Sequence, residues 1–262
     1  MIRALYTAAS GMTAQQMNLD TIANNLANSS TTGFRQSRLQ FQDMIYQNLV
    51  PPGAAQSQST VSAGLQIGLG TKSAATEVIM TQGALNQTSN PLDVAIEGAG
   101  FFQVQRPDGT IAYTRAGQFH LNNQGTIVTT DGDPVVPNIT IPANATAVTI
   151  TQYGVVNATL SGQQNPSQLG QLQLATFPNP GGLETLGSNL LQTTLSSGDP
   201  VLGNPGGAEG LGTLQQGYLE NSNVDVVTEF VQMVLAQRAY ESNSKVIKAA
   251  DDMYSQINNM TR

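Results

Sequence analysis

The chain has 262 residues, 17 acidic against 10 basic, a net charge of −7, one histidine, no tryptophan and no cysteine. An acidic balance leaves no electrostatic footprint for nucleic acid, and the missing cysteines exclude disulfides, thiolate catalysis and Cys-ligated metal. With His120 alone, one chain cannot build a multi-histidine metal site, and no apolar run approaches the ~20 residues of a membrane-spanning helix, so direct membrane insertion is not expected.

From Ile2 to Asn28 the pattern is helical. Leu5, Met12, Leu19 and Leu26 recur at every seventh position, with Ala8 and Ile22 on the neighbouring row. The opening "MIRALYTAASGMTAQQ" carries one Arg but no continuous apolar stretch of the ~7–15 residues that a cleavable secretory signal needs. The chain is therefore expected to stay in the cytoplasm or to leave by a route that reads an uncleaved chain. "NSSTTGF" supplies the stop for this helix, with Gly33 free to take a positive φ.

The next stretch, "YQNLVPPGAAQSQSTVSAGLQIGLG" from Tyr46 to Gly70, has Pro51-Pro52, which forbids a helix, and too much Gln, Ser and Gly for a core of its own. It is either a loose linker or an arm that becomes ordered against another subunit.

From about Thr76 to Tyr218 the sequence reads as β. "VQRPDGTIAYT" is a hairpin turning at Pro107–Gly109, and "QFHLNNQGTIVTTDGDPVV" turns at Asn122–Gly125 and again at Asp131–Pro134. Further strands are expected at 147–151, 155–160 and 171–176, and long surface loops over 178–212. "VVTEFVQMVLAQRAYESNSKVIKAADDMYSQI" then forms a second long helix, with Val226, Met233, Tyr240, Ile247 and Tyr254 seven apart and Ser222 or Asn223 as its N-cap, with Asp225 in the first turn. At ~1.5 Å per residue the two helices would span about 40 and 50 Å. Their flanking positions hold Gln, Asn, Ser and Ala rather than Glu and Lys, which suits burial on several sides.

The expected class is α+β. Residues 1–33 and 222–262 form a coiled-coil-like pair of terminal helices. Residues 34–75 connect, including the arm 46–70, and residues 76–221 form an inserted, mainly antiparallel β domain, barrel- or sandwich-like. Each helix covers part of the other's stripe, and identical neighbours would cover the outer faces.

Motifs for small-molecule chemistry do not hold up. "GLGTKS" at Gly68–Ser73 separates Gly from Lys by Thr71 and follows no apolar strand, so it is not a phosphate loop. "DGD" at Asp131–Asp133 lacks the remaining ligands of a calcium loop and reads as a turn. His120, between Phe119 and Leu121, falls on the solvated face of a strand. Arg238 and Glu241 at i,i+3 spacing make a surface ion pair worth a few tenths of a kcal/mol, roughly. Asn24, Asn25 and Asn28 serve either as helix-end chemistry or as amides paired across a helix interface.

At these residues a resemblance becomes specific. "IANNLANSSTTGF" (with Asn24, Asn25, Asn28, Gly33 and Phe34) and "SNVDVVTEFVQMVLAQRAYESNSKVI" (with Gln237, Arg238, Tyr240 and Glu241) resemble the two terminal signatures of the flagellar rod and hook family. "NPLDVAIEGAGFFQV" and "PDGTIAYTRAGQFHLNNQGTIVTTDG" are similar to its middle segments. The stretch with Tyr46, Pro51, Pro52, Gly53, Gly64, Gly68 and Gly70 looks like the one associated with the straight rod, so the resemblance points to the distal-rod branch, with a proximal rod or hook paralogue as the alternative.

The resemblance implies a structural subunit with no catalytic activity and no cofactor. It would polymerise with itself into a rigid hollow shaft that crosses the periplasm, transmits torque and encloses the export channel. The implied partners are proximal rod proteins, the hook protein or its adaptor, the surrounding P- and L-ring proteins, and the flagellar type III export apparatus.

Overall fold

The computed structural model describes residues 2–50, 55–56, 59–60, 64–163, 165–207 and 210–260. The chain divides into two compact units, one of residues 1–27, 37–78 and 225–262, the other of residues 28–36 and 79–224.

The first unit is built on α1 (Ile2–Ala27) and α2 (Val226–Met260). They run antiparallel, since Asn25 meets Glu229 near one end while Gly11 faces Asn243 further along. A Cβ at Gly11 would lie 2.8 Å from the Asn243 side-chain nitrogen, so a larger residue there would push that amide aside. Apart from Ile22, the buried positions are small or polar: Ala8, Ala14 and Asn25 on α1, and Glu229, Ala236 and Ala250 on α2. Closely approaching helices favour short side chains at their contact. The longer residues of the heptad rows sit at its margin. Leu5, Met12, Leu19, Leu26, Met233 and Ile247 are half-buried, and Val226, Tyr240 and Tyr254 are exposed.

An antiparallel strand pair, Ser37–Asp43 with Thr71–Val78, packs against α1. The ladder resumes with Tyr46–Val50 against Leu65–Gly68, where Tyr46 lies opposite Gly68, and again with Ala55–Gln56 against Ser59–Thr60. The segment read as a connector is, in its described part, paired β backbone. Pro51, Pro52 and Gly53 lie outside the described residues, and Gly64 and Gly70 are half-buried. Gly70 adopts φ +119° beside Ser10, whose hydroxyl accepts the Thr71 N–H at 3.4 Å.

In the second unit a seven-stranded sheet runs in the order Glu184–Gly187, Leu190–Gln192, Ile111–Thr114, Phe101–Gln105, Leu174–Thr176, Val201–Gly203, with Val135–Val136 also pairing to Phe101–Gln105. Ala145–Ile150, Val155–Leu160 and Ser167–Gln171 form a three-stranded sheet, and Thr213–Gln216 pairs with Val94–Glu97. All these pairings are antiparallel. The sheets stay open and do not close into a barrel, which corrects the barrel form of the expectation.

Val94, Ile96, Phe102, Phe119, Val156, Leu172 and Leu174 lie in the main core, with Phe102 and Phe119 edge to face at 5.0 Å between centroids. Phe119 is buried and His120 exposed, as expected, but Leu121 is also 42% exposed, so the expected alternation does not continue.

Two local readings are also corrected. Residues 178–212 are not all loop, because they hold the 3-10 turn Pro180–Gly182 and three strands of the large sheet. Leu183, Leu190 and Leu191 bury there, and those leucines are the driving force that the Gly/Asn/Ser content masked. The N-cap of α2 is Asp225, not Ser222 or Asn223. Its Oδ1 accepts the Val227 N–H at 3.1 Å and its Oδ2 the Thr228 hydroxyl at 2.6 Å.

Candidate functional site

In the helical unit, Asn25 is buried and pairs with Ser37 as one strand residue pairs with another. Its Oδ1 accepts the Ser37 N–H at 2.9 Å, its Nδ2 donates to the Ser37 carbonyl at 2.8 Å, and Nδ2 also reaches Glu229 Oε2 at 3.3 Å. One amide thus fixes where the first strand leaves α1 and where α2 lies beside it. Asn25 is the interface amide of its motif. Asn28 does helix-end chemistry, its side-chain oxygen accepting the Thr31 hydroxyl at 3.1 Å, and Asn24 is exposed.

In the β unit, Gly33 takes φ +70° and donates its N–H to the Glu220 carbonyl at 2.8 Å. The Phe34 carbonyl accepts from the Asn223 N–H at 3.5 Å. Asn223 does not cap the helix but joins three strand ends. Its Oδ1 accepts the Gln36 N–H at 2.7 Å, and its Nδ2 donates to the carbonyls of Ile79 and Thr81 at 2.9 and 3.0 Å.

Beneath it lies a buried ionic cluster. Glu220 Oε1 accepts from Arg35 Nη2 at 2.7 Å and from the Gly83 N–H at 2.9 Å, and Oε2 faces Arg115 Nη1 at 3.4 Å. Arg115 also donates to the Gly98 carbonyl at 2.7 Å, and its guanidinium lies 5.3 Å from the Phe101 ring centroid. Burial pushes its pKa down to about 10. The Glu220 carboxylate works in the opposite direction, and the Arg35 charge adds to the fall. Sequence reading singled out neither Arg35, Arg115, Glu220 nor Glu229. The available signal was scarcity, since charge makes up 10% of the chain and these four stand among apolar and turn residues.

The surfaces are as informative as the junctions. Over its first three turns α2 reads "VVTEFVQMVLA" and is apolar on nearly every side. Glu229 and Ala236 are buried, but Val227 is 72% exposed and Leu235 63%, with Phe230, Val231 and Val234 also in water. A helix that is apolar all round belongs in a buried setting. Farther along, Met253, Tyr254 and Ile257 continue the exposed apolar side chains. Gln237 is exposed, and Arg238 and Glu241 form a 3.5 Å ion pair in water that can contribute little. Just before the arm Ile45 is 83% exposed, and within it Tyr46, Leu49 and Leu65 are exposed as well.

Among the described residues no group of three or more His, Cys, Asp or Glu is placed to hold a metal ion, and no helix is long and apolar enough to cross a membrane. Paired terminal helices with uncovered apolar faces, carrying a β unit inserted between them in the chain, define a structural subunit of a larger assembly.

Residues 5–35 match the family described as flagella basal body rod protein, residues 95–158 the flagellar hook protein FlgE/F/G D1 domain, and residues 215–260 the flagellar basal body rod FlgEFG protein C-terminal family. Flagellar basal-body rod protein FlgG of Buchnera aphidicola subsp. Acyrthosiphon pisum is 48% identical over 99% of this chain and 100% of its own length. The FlgG of Borreliella burgdorferi is 48% identical over 100% of both, and that of Caulobacter vibrioides 49% identical over 96% of this chain and 97% of its own. The chain belongs to the FlgG family of flagellar basal-body rod proteins, and it is a structural subunit of the flagellar distal rod.

Proposed function

We propose that the chain polymerises with copies of itself into a rigid, hollow helical shaft, with the terminal helices lining the export channel and the β unit outside. The observation that carries this reading is the apolar surface of α2 left in water by its pairing with α1. Exposed contiguous apolar surface of this kind marks an interaction site. Identical neighbours are the occupant for which a heptad-patterned helix is built, because each copy offers the same stripe. The stripe rows Leu5, Met12, Leu19 and Leu26 on α1, and Val226, Met233, Tyr240, Ile247 and Tyr254 on α2, are assigned to this packing, whereas Ile22 of the neighbouring row is already buried within the chain.

The role is mechanical, not catalytic. Close-packed interiors resist deformation, so helices buried on several sides transmit torque from the motor to the hook without sliding. The arm from Tyr46 to Gly70 stiffens the shaft. A two-stranded ribbon is marginal by itself, and its exposed Tyr46, Leu49 and Leu65 gain cover only against a neighbouring subunit.

In this reading the shaft crosses the periplasm, with proximal rod proteins below, the hook or its adaptor above and the P- and L-ring proteins around it. The subunits leave through the type III export apparatus without a cleaved signal.

Val231→Glu and Leu235→Glu test the proposal on residues exposed in the single chain. Both variants should keep the wild-type melting profile and lose seeded polymerisation. Polymerisation at the wild-type rate would contradict it.

A further inference from the structure

The β unit holds a cavity of about 240 Å³ lined by Met80, Gln82, Phe101, Arg115, Thr176 and Pro180, together with the glycine-rich turn at 98–100. Arg115 is the only charged residue of that lining. Its side chain is 7% exposed, and its Nε has no hydrogen-bond partner. Behind it, Arg35 also keeps Nε and Nη1 buried without partners. Two guanidinium groups share the single carboxylate of Glu220. The cluster therefore carries a surplus positive charge, an unfavourable arrangement away from water unless a further acceptor arrives, and of its unpaired nitrogens only the Arg115 Nε belongs to a residue of the lining. Met80, Phe101 and Pro180 supply the apolar walls, Gln82 and Thr176 the polar ones, and Gln82 and Ala99 are exposed.

We propose that this cavity receives a glutamate or aspartate side chain from a neighbouring copy of the chain, its carboxylate set against Arg115 and its methylene stem against Met80, Phe101 and Pro180. Charge complementarity identifies the occupant. With 17 acidic residues against 10 basic, a second copy presents carboxylates in surplus, and an arginine with free donors binds a carboxylate better than any neutral group does. The inference rests on the reading that copies pack against one another. Within such packing it supplies a polar, register-setting contact that the apolar helix stripes lack, since apolar contacts alone are non-directional.

The full-length chain and two variants at an exposed position test it. Ala99→Glu places a carboxylate at the cavity mouth within the same subunit, and Ala99→Gln adds the same bulk without charge. Glutarate titrated into the monomer should shift the Arg115 Nε–H resonance saturably, and Ala99→Glu should abolish that shift. Seeded polymerisation of Ala99→Glu should slow at least tenfold with its melting profile unchanged, while Ala99→Gln keeps the wild-type rate.

Equal rates for all three chains would overturn the proposal, and a glutarate shift in that case would mean that the cavity serves free carboxylates instead. Equal impairment by the Gln variant would make the effect one of bulk and overturn it as well. If the wild-type chain failed to polymerise at all, the assembly reading would fall first. The absence of a glutarate shift would then overturn the cavity as a carboxylate site, and its presence would support it.

Discussion

Glu220 is fully buried and accepts hydrogen bonds from two guanidinium groups and a backbone amide. Changing it to Gln keeps its shape but leaves Arg35 and Arg115 buried with no counter-charge. Removing one partner of a buried ion pair costs about 3–5 kcal/mol, because the surviving charge is neither hydrated nor compensated. Glu220→Gln should therefore lower the unfolding free energy by that amount in urea, and a loss below about 1 kcal/mol, the level typical of a solvated pair, would contradict the burial argument.

Asp225 poses a different residue-scale question. The Thr228 hydroxyl first, and the Val227 N–H after it, hold its carboxyl below the usual range. A depressed folded-state pKa means that the cap contributes above the ordinary carboxyl value of ~4 and is lost as pH falls through the lower folded value. Carbon-detected NMR should place the Asp225 titration midpoint below that of an unstructured Asp, with the first turn of α2 fraying beneath it. A midpoint at or above the ordinary value would remove Asp225 as the cap.

At the scale of elements, the arm gives the clearest prediction. The pairing of Ser37–Asp43 with Thr71–Val78 is complete without residues 46–70, so deleting that stretch leaves the ladder that packs on α1. The resulting shaft should show a shorter persistence length in electron micrographs, and an unchanged one would contradict a stiffening role.

Elements were also where the sequence was easiest to read. Uninterrupted heptads gave both helices, and Asp-Gly and Asn-x-x-Gly turns gave the hairpins around 107–109 and 122–125. Counting apolar residues could not say which helix row would be buried, because the seam uses Gly11, Asn25, Glu229, Ala236 and Asn243 rather than the largest side chains. Nor could spacing reveal the Arg35–Glu220 pair, whose partners are 185 positions apart. Leu183, Leu190 and Leu191 were hidden for a third reason. Leu183 only closes a 3-10 turn and the strand of Leu190 and Leu191 has three residues, too short for an alternation to stand out from Gly- and Ser-rich surroundings.

For the whole molecule, the central claim is that α2 is incomplete until copies of the chain surround it. Its amphipathic pattern is satisfied along one seam by α1, while Val227, Phe230, Val231, Val234 and Leu235 remain in water. The β unit, by contrast, fully encloses its main cluster of Val94, Ile96, Phe102 and Leu174. That contrast makes the helices a part of the chain that assembly must cover. The most direct measurement is cryo-electron microscopy of the purified chain, concentrated and seeded with rod fragments. The account predicts straight tubes with a central channel, an α-helical inner wall and those five side chains buried between subunits. Tubes in which the five remain solvent-exposed, or closed oligomers held together through the β units alone, would contradict it.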